Sequence, residues 1–372
     1  MELLGKYSSA KVFTDNLEEG AKEQIIRLLD QEFVKDAKVR IMPDVHEGMG
    51  CVIGFTADMG DKVIPNIVGV DIGCGMLTVE LGNIDIDLPT LDKIIYNKIP
   101  AGRHIHSGRK EKYDKLRDLY CFRDLKNTKR IERSIGTLGG GNHFIEVGID
   151  SKDNKYLVIH SGSRNLGKQV AEIYQRLAID LCSHKRDINN KPKYPRDLCY
   201  LTGEYRDRYL HDMRICQEYA SLNRKTIANI ILENLLGKNI DDFIHFETIH
   251  NYINFKDNII RKGAISAYEG EKILIPINMR DGSIIALGKG NPDWNYSSPH
   301  GAGRLMSRTE AKQDLTLEAF EKIMEGIYST SVHKGTLDES PFAYKSMDEI
   351  ISNIHETAEI IDIIKPIYNF KA

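Results

Sequence analysis

The chain has 372 residues, 41% of them hydrophobic and 28% charged, with a formal net charge of −3. That length can bury a large core, as one big domain or two ordinary ones, and the composition is that of a soluble globular protein. A charge so close to zero excludes the global basic field of a simple nucleic-acid coat, although a local basic groove needs only a patch.

The six cysteines (Cys51, Cys74, Cys121, Cys182, Cys199 and Cys216) are scattered, with no Cys-x-x-Cys pair. Residues 1–10 lack the apolar core of a signal peptide, and no run is long and apolar enough to span a bilayer. The expectation is a cytoplasmic protein, not membrane-bound, with reduced thiols.

In chain order, Asp15 and Asn16 precede an amphipathic stretch, and the spacing of Ile25, Ile26, Leu28 and Leu29 predicts a capped helix over 17–33. From 39 to 81 the texture changes to short apolar runs broken by glycine, which predicts strands at 51–55, 63–70 and 76–81. A helical stretch at 91–95 and a polar, basic segment at 103–133 follow. A strand is expected at 156–160, helices at 168–182 and 205–236, and strands at 243–250 and 273–287. Helices at 310–328 and 347–364 close the chain. Between 183 and 206 lies a basic, proline-containing stretch that reads as an inserted excursion. Glycine-rich turns in every third of the chain predict a single α+β domain over residues 1–372 whose loops converge.

Chemistry concentrates in a few strings. In Val70-Asp71-Ile72-Gly73-Cys74-Gly75 a carboxylate and a thiol sit three residues apart between glycines, a turn that can aim both at one metal ion. The alternative is a buried structural cysteine beside a turn aspartate. Pro43-Asp44-Val45-His46-Glu47-Gly48 offers a histidine as ligand, base or support, or simply a hydrogen-bonded loop. Gly139-Gly140-Gly141-Asn142-His143-Phe144-Ile145-Glu146 lets backbone approach a ligand and then presents an amide, an imidazole and a carboxylate. His160-Ser161-Gly162-Ser163-Arg164-Asn165-Leu166-Gly167-Lys168-Gln169 nearly spells a P-loop. Gln169 stands where a Mg²⁺-binding Ser or Thr is needed, so only its phosphate physics is kept: a glycine loop opening a helix, with Arg164 and Lys168 nearby. His250-Asn251 gains weight only as part of a set. In Ser298-Pro299-His300-Gly301-Ala302-Gly303-Arg304, extended to Arg308, an accessible histidine lies beside two arginines that share a face if a helix starts there, which suits a nucleophile next to phosphate-binding guanidiniums.

Taken together with Arg261-Lys262-Gly263-Ala264, these motifs resemble, in order and over nearly the whole chain, the RtcB family of RNA ligases. The resemblance implies a single RtcB-like α+β domain, with mixed β-sheets flanked by helices around a central metal and nucleotide cleft. It implies an enzyme that uses GTP and two Mn²⁺ ions, with Zn²⁺ or another divalent ion as the chemical competitor, to join RNA ends bearing a 2′,3′-cyclic phosphate or 3′-phosphate to a 5′-hydroxyl. By similarity Asp71, Cys74, His143, His160 and His250 are metal ligands, and His300 is the residue that becomes guanylylated. Asn142, Phe144, Glu146, Ala302, Gly303 and Lys371 fall where the family holds the guanine nucleotide, and Arg164, Arg304 and Arg308 where it engages RNA phosphate. Archease is the protein partner implied, and RNA repair the role. The segment 278–294 departs from the loop of archaeal tRNA-splicing members. Two other readings are open: a metal-dependent phosphodiesterase or phosphatase on RNA ends, and an inactive RNA-binding paralogue.

Overall fold

In a computed structural model describing residues 1–187 and 190–371, strands β1 (Glu2–Leu4) and β2 (Ser9–Val12) lead into helix α1 (Glu19–Leu29), then β3 (Val39–His46) and β4 (Ile53–Asp58). The short α2 (Pro65–Val68) precedes β5 (Gly75–Gly82), α3 (Leu88–Lys98) and α4 (Thr128–Glu132). The hairpin β6 (Phe144–Ile149) and β7 (Lys155–Ser161) is followed by α5 (Arg164–Cys182) and the long α6 (Gly203–Leu236). Then come β8 (Ile244–Ile249), β9 (Tyr252–Ile253), β10 (Ile259–Lys262), β11 (Ala264–Ser266), β12 (Lys272–Asn278), β13 (Gly282–Gly288) and β14 (Ser297–Pro299). Helices α7 (Arg308–Asp314), α8 (Leu317–Ile323) and α9 (Met347–Ile354) lead to the closing strand β15 (Ala358–Lys371).

The strands form a six-stranded sheet in the order β1-β2-β3-β4-β10-β9 and a seven-stranded sheet in the order β12-β13-β15-β6-β7-β5-β8, with the ribbon β11-β14 separate from both. The fold is α+β, as expected: only β2 and β3 run parallel among the paired strands described, so hairpins and loops rather than crossover helices connect most neighbours.

Helix α6 ties the two sheets together. Its first half buries Tyr209, Met213, Cys216 and Tyr219 in the core shared with α1, α2 and α5, and its second half buries Ile227, Ala228, Ile231 and Leu232 against the seven-stranded sheet. Where the two cores meet, Asn223 and Arg224 are fully buried.

Several expectations change. The helix expected over 17–33 is α1 plus a separate 3₁₀ turn, Glu32–Val34, and its N-cap is Glu18 without a side-chain bond, so Asp15 and Asn16 do not cap it. The strand expected at 63–70 is instead α2. Pro65 at its first position has no N–H to give a ladder and a backbone already set for a helix, while Gly69 at φ 102° ends it. The stretch 273–287 is a hairpin rather than one strand, turned where the Asn278 carboxamide accepts from the backbone of Arg280 and Asp281. The helix expected over 347–364 stops at Ile354, and β15 follows. Its isoleucines favour a strand, and Pro366 is tolerated because the register shifts there. The excursion ends before α6 begins at Gly203. Arg186 bridges Pro192 across it, and Leu198, Cys199 and Leu201 root it in the core; residues 188–189 of that expectation lie outside the described residues. No helix among the described residues is long and apolar enough to cross a membrane, and all six cysteines are unbridged and buried.

Candidate functional site

Register places the candidate residues at one end of the seven-stranded sheet. Gly75 at the start of β5 pairs with Ser161 at the end of β7 and with Ile249 at the end of β8. Phe144 at the start of β6 pairs with His160 and with Lys371 at the end of β15. Cys74, His143, His160, His250 and Lys371 therefore converge from the ends of five strands because antiparallel pairing brings alternate strand ends to one edge.

At that edge Cys74 Sγ lies 3.4 Å from His143 Nε2 and 3.3 Å from His160 Nε2, and the three are buried with all ligand atoms within 4.8 Å of one another. His143 Nδ1 donates to the Leu138 carbonyl at 2.8 Å, which leaves Nε2 facing both the thiol and Asp71 Oδ2, 3.1 Å away. Asp71 is itself held by the Ser163 backbone N–H at 3.0 Å. His250 stands beside this group rather than inside it, its ring 5.3 Å from that of His160 and 4.7 Å from that of His300.

The donor set fits a divalent metal. Two ligands on one zinc-sized ion are on the order of 3.5 Å apart, close to the separations here. A neutral His143 would point a bare lone pair at the Asp71 carboxylate, an arrangement a shared cation relieves. Burial and neighbouring histidines push His160 and His250 well below the usual imidazole range, which keeps them neutral and able to ligate, and the Nδ1 of each is buried without a partner among the described residues. Burial, reinforced by Asp71, raises the Cys74 thiol well above its ordinary value, so its proton is one a metal would displace. Burial acts to raise Asp71 too, but the facing His143 ring, with the Arg164 guanidinium, brings it below the ordinary carboxylate value.

Behind this cluster sits a support the sequence reading missed. Arg224 Nη1 donates to the carbonyls of Gly73 and Ser161, each at 2.9 Å, and Nε pairs with Glu247 Oε1 at 2.9 Å. One guanidinium thus ties the Asp71–Cys74 turn to the end of β7 and to β8. The signal was present: Asp212, Asn223 and Arg224 interrupt the apolar stripe of α6.

His300 follows β14. The buried Asp44 Oδ2, from β3 of the other sheet, accepts from the His300 backbone N–H at 3.1 Å and from Nδ1 at 2.6 Å. With Nδ1 carrying the proton, Nε2 is the free lone pair. Gly263 makes the approach possible: at φ 55°, a Cβ there would lie 2.1 Å from Ile53 and 3.2 Å from the His300 ring. From the sequence Asp44 reads only as a neighbour of His46 in its loop.

His300 opens on a cavity of 670 Å³. All six expected nucleotide contacts line it: Asn142, Phe144, Glu146, Ala302, Gly303 and Lys371. Lys371 Nζ lies over the Phe144 ring at 5.3 Å and pairs with Glu339 at 2.5 Å. Burial lifts the Glu146 carboxyl to about 8; Asn369 donates to Oε2 at 2.8 Å while Oε1 is buried and unpartnered among the described residues. A buried carboxyl with one unpartnered oxygen in a cavity of this size offers a polar ligand edge a hydrogen-bond partner.

The three arginines do not gather. Arg164 begins α5 with φ 56° and donates to Thr137 Oγ1 and Gly102 O, both at 3.1 Å, beside the glycine loop. Arg304 and Arg308 line the cavity instead, where Arg308 pairs with Asp338 and Glu339, both at 2.5 Å, and Arg304 donates to the Asp338 carbonyl at 2.6 Å. They do not share a helix face, because α7 starts only at Arg308. Burial would raise the Glu339 carboxyl, but Lys371 and Arg308 bring it down to about 2.

The fold and this donor set define an α+β protein with a buried candidate metal centre beside a ligand-sized cavity. A family model described as tRNA-splicing ligase RtcB matches residues 24–124 and 118–372. Among curated proteins the chain is similar to the RNA-splicing ligase RtcB1 of Escherichia coli strain ATCC 25922 (32% identical, 94% of each chain) and the RNA-splicing ligase RtcB of Escherichia coli K12 (31%, 94% of each). It is also similar to the tRNA-splicing ligase RtcB of Nanoarchaeum equitans (29%, 88% of this chain and 86% of the other). The chain belongs to the RtcB family.

Proposed function

We propose that the protein is a GTP-dependent RNA ligase of the repair type, joining RNA 2′,3′-cyclic-phosphate or 3′-phosphate ends to 5′-hydroxyl ends through a guanylylated His300. The observation that carries this reading is the position of His300. It is held by Asp44 with Nε2 free, and stands between the imidazole of His250 and the cavity that Phe144, Glu146 and Lys371 line.

His300 Nε2 attacks the α-phosphorus of GTP and pyrophosphate leaves. Asp44 keeps the proton on Nδ1 and faces the positive charge that develops on the ring. Water opens any cyclic phosphate, the guanylyl group passes to the RNA 3′-phosphate with release of His300, and the 5′-hydroxyl then displaces GMP. Cys74, His143 and His160 would hold one ion, with Asp71 and His250 completing a two-ion site. When bound, Mn²⁺ ions would neutralise phosphate charge; the thiolate and imidazoles would also accept Zn²⁺. Glu146 and Asn142 suit the base and sugar edges of the nucleotide, with Lys371 and the Ala302–Gly303 backbone closing around it. Arg164, Arg304 and Arg308 suit RNA phosphate. We place the protein in the cytoplasm, with archease as an activating partner and the whole chain acting as one catalytic unit.

A hydrolase acting on RNA ends needs the metals but has no use for a nucleotide-sized cavity beside a lone-pair-oriented histidine, and a pure RNA binder needs neither. Incubation with α-labelled GTP and Mn²⁺ tests the reading: acid-labile label on the wild type, lost in His300→Ala with metal retained, is expected. An unlabelled wild type would sink it.

A further inference from the structure

We infer that the surface formed by the 103–133 segment and the first turns of α5 is the track along which an RNA strand enters the metal centre. The inference rests on the ligase reading for its choice of polyanion, and goes beyond it in assigning a surface.

The segment carries eleven Lys and Arg against five Asp and Glu, a net of +6 in a chain that is −3 overall. Its charges are not used up internally. Arg103, Lys126, Lys129 and Arg130 are exposed and have no carboxylate within ion-pair distance among the described residues. The basic excursion at 183–202 is a weaker rival. There Lys193 pairs with Glu32, and Lys185 is taken up by the Tyr200 hydroxyl and ring.

Position separates the two further. The Gly102 N–H donates to the Gly139 carbonyl at 2.7 Å, so the basic segment starts hydrogen-bonded to the glycine loop that precedes His143. Two guanidiniums are then held side by side on consecutive carbonyls, Arg164 on Gly102 O at 3.1 Å and Arg130 on Arg103 O at 2.5 Å. Neither meets a carboxylate within ion-pair distance among the described residues, so their outward edges offer adjacent donors to phosphate. The track continues along α5: the Lys126 backbone exchanges hydrogen bonds with the Gln169 carboxamide at 2.7 and 3.0 Å, which sets Lys126 beside the first turns of that helix. Exposed glycines at 140 and 141 leave the loop between track and metal ligands without side chains. A chain of phosphates can therefore run from Lys126 past Arg130 to Arg164, whose charge also offsets that of Asp71 at the metal centre.

The test uses the full chain, a fluorescent single-stranded RNA ending in a 3′-phosphate, and anisotropy over a range of salt concentrations. In the double variant Lys126→Glu, Lys129→Glu we expect affinity to fall about tenfold near 0.1 M salt. The slope of log affinity against log salt should be shallower by about 1.4, the release expected for two lost contacts on a single strand. The matching double variant in the excursion, Lys191→Glu, Arg196→Glu, should bind as the wild type does. Unchanged RNA affinity in the first variant overturns the track and leaves the patch to an acidic protein partner; an equal fall in both variants overturns it as a mere effect of net charge. Guanylylation needs no RNA and is measured on the same preparations. Label without any change in RNA affinity overturns the track alone, whereas RNA held along the track by a wild type that never takes label overturns the ligase reading alone.

Discussion

At the scale of single residues, the Asp44–His300 pair decides how the centre works. A carboxylate on Nδ1 selects the tautomer with Nε2 free, and an amide in its place can accept the same hydrogen bond without supplying negative charge. Asp44→Asn is therefore expected to slow guanylylation about 10²- to 10⁴-fold while leaving the melting temperature near that of the wild type; an unchanged rate would show that the ring needs no such partner. Cys74→Ala should empty the metal centre and abolish guanylylation with the fold intact, as read by elemental analysis and circular dichroism. Glu146 sets a pH dependence. Its folded pKa of about 8 lies above the ordinary 4.5, so between those values the folded state binds more protons than the unfolded one, and stability falls as pH rises through that window. Glu146→Gln should flatten that decline in denaturant titrations of the nucleotide-free protein.

At the scale of elements, the buried guanidinium of α6 is the part that carries most strain if altered. Arg224→Met would leave the Gly73 and Ser161 carbonyls unpaired and Glu247 without its counter-charge. Breaking one side of such a buried pair costs about 3–5 kcal/mol, and displacing the turn that carries Cys74 should weaken metal binding about 10- to 100-fold. Thermal melting and a metal titration read the two separately; metal affinity unchanged in a folded variant would contradict the positioning role. Legibility varied in the same region. The strand at 76–81 and the helices at 168–182 and 205–236 were readable because periodicity and burial agree there. The run at 63–70 misled because it is apolar enough for a strand, while Pro65 decides otherwise. The closing stretch misled in the opposite sense, since Met347 to Ile354 is helical and the isoleucines that continue the apolar pattern belong to β15, whose partners β13 and β6 are remote in sequence.

At the scale of the molecule, the antiparallel register of one sheet turns scattered motifs into a centre. Which residue types could act was legible from the Asp71–Cys74 turn, the glycine loop and the histidine strings. What pairs with what was not. Nothing local to Asp44 points to His300, which lies in a different part of the chain, and nothing local to Arg304 and Arg308 shows that Asp338 and Glu339 hold them at the cavity while Arg164 is held on Thr137 and Gly102. Intact-protein mass spectrometry after incubation with GTP and Mn²⁺ tests the central claim most directly. The account predicts an added mass of one GMP, mapped to the peptide containing His300 and removed by pyrophosphate; no adduct, or an adduct on a lysine such as Lys371, would contradict it.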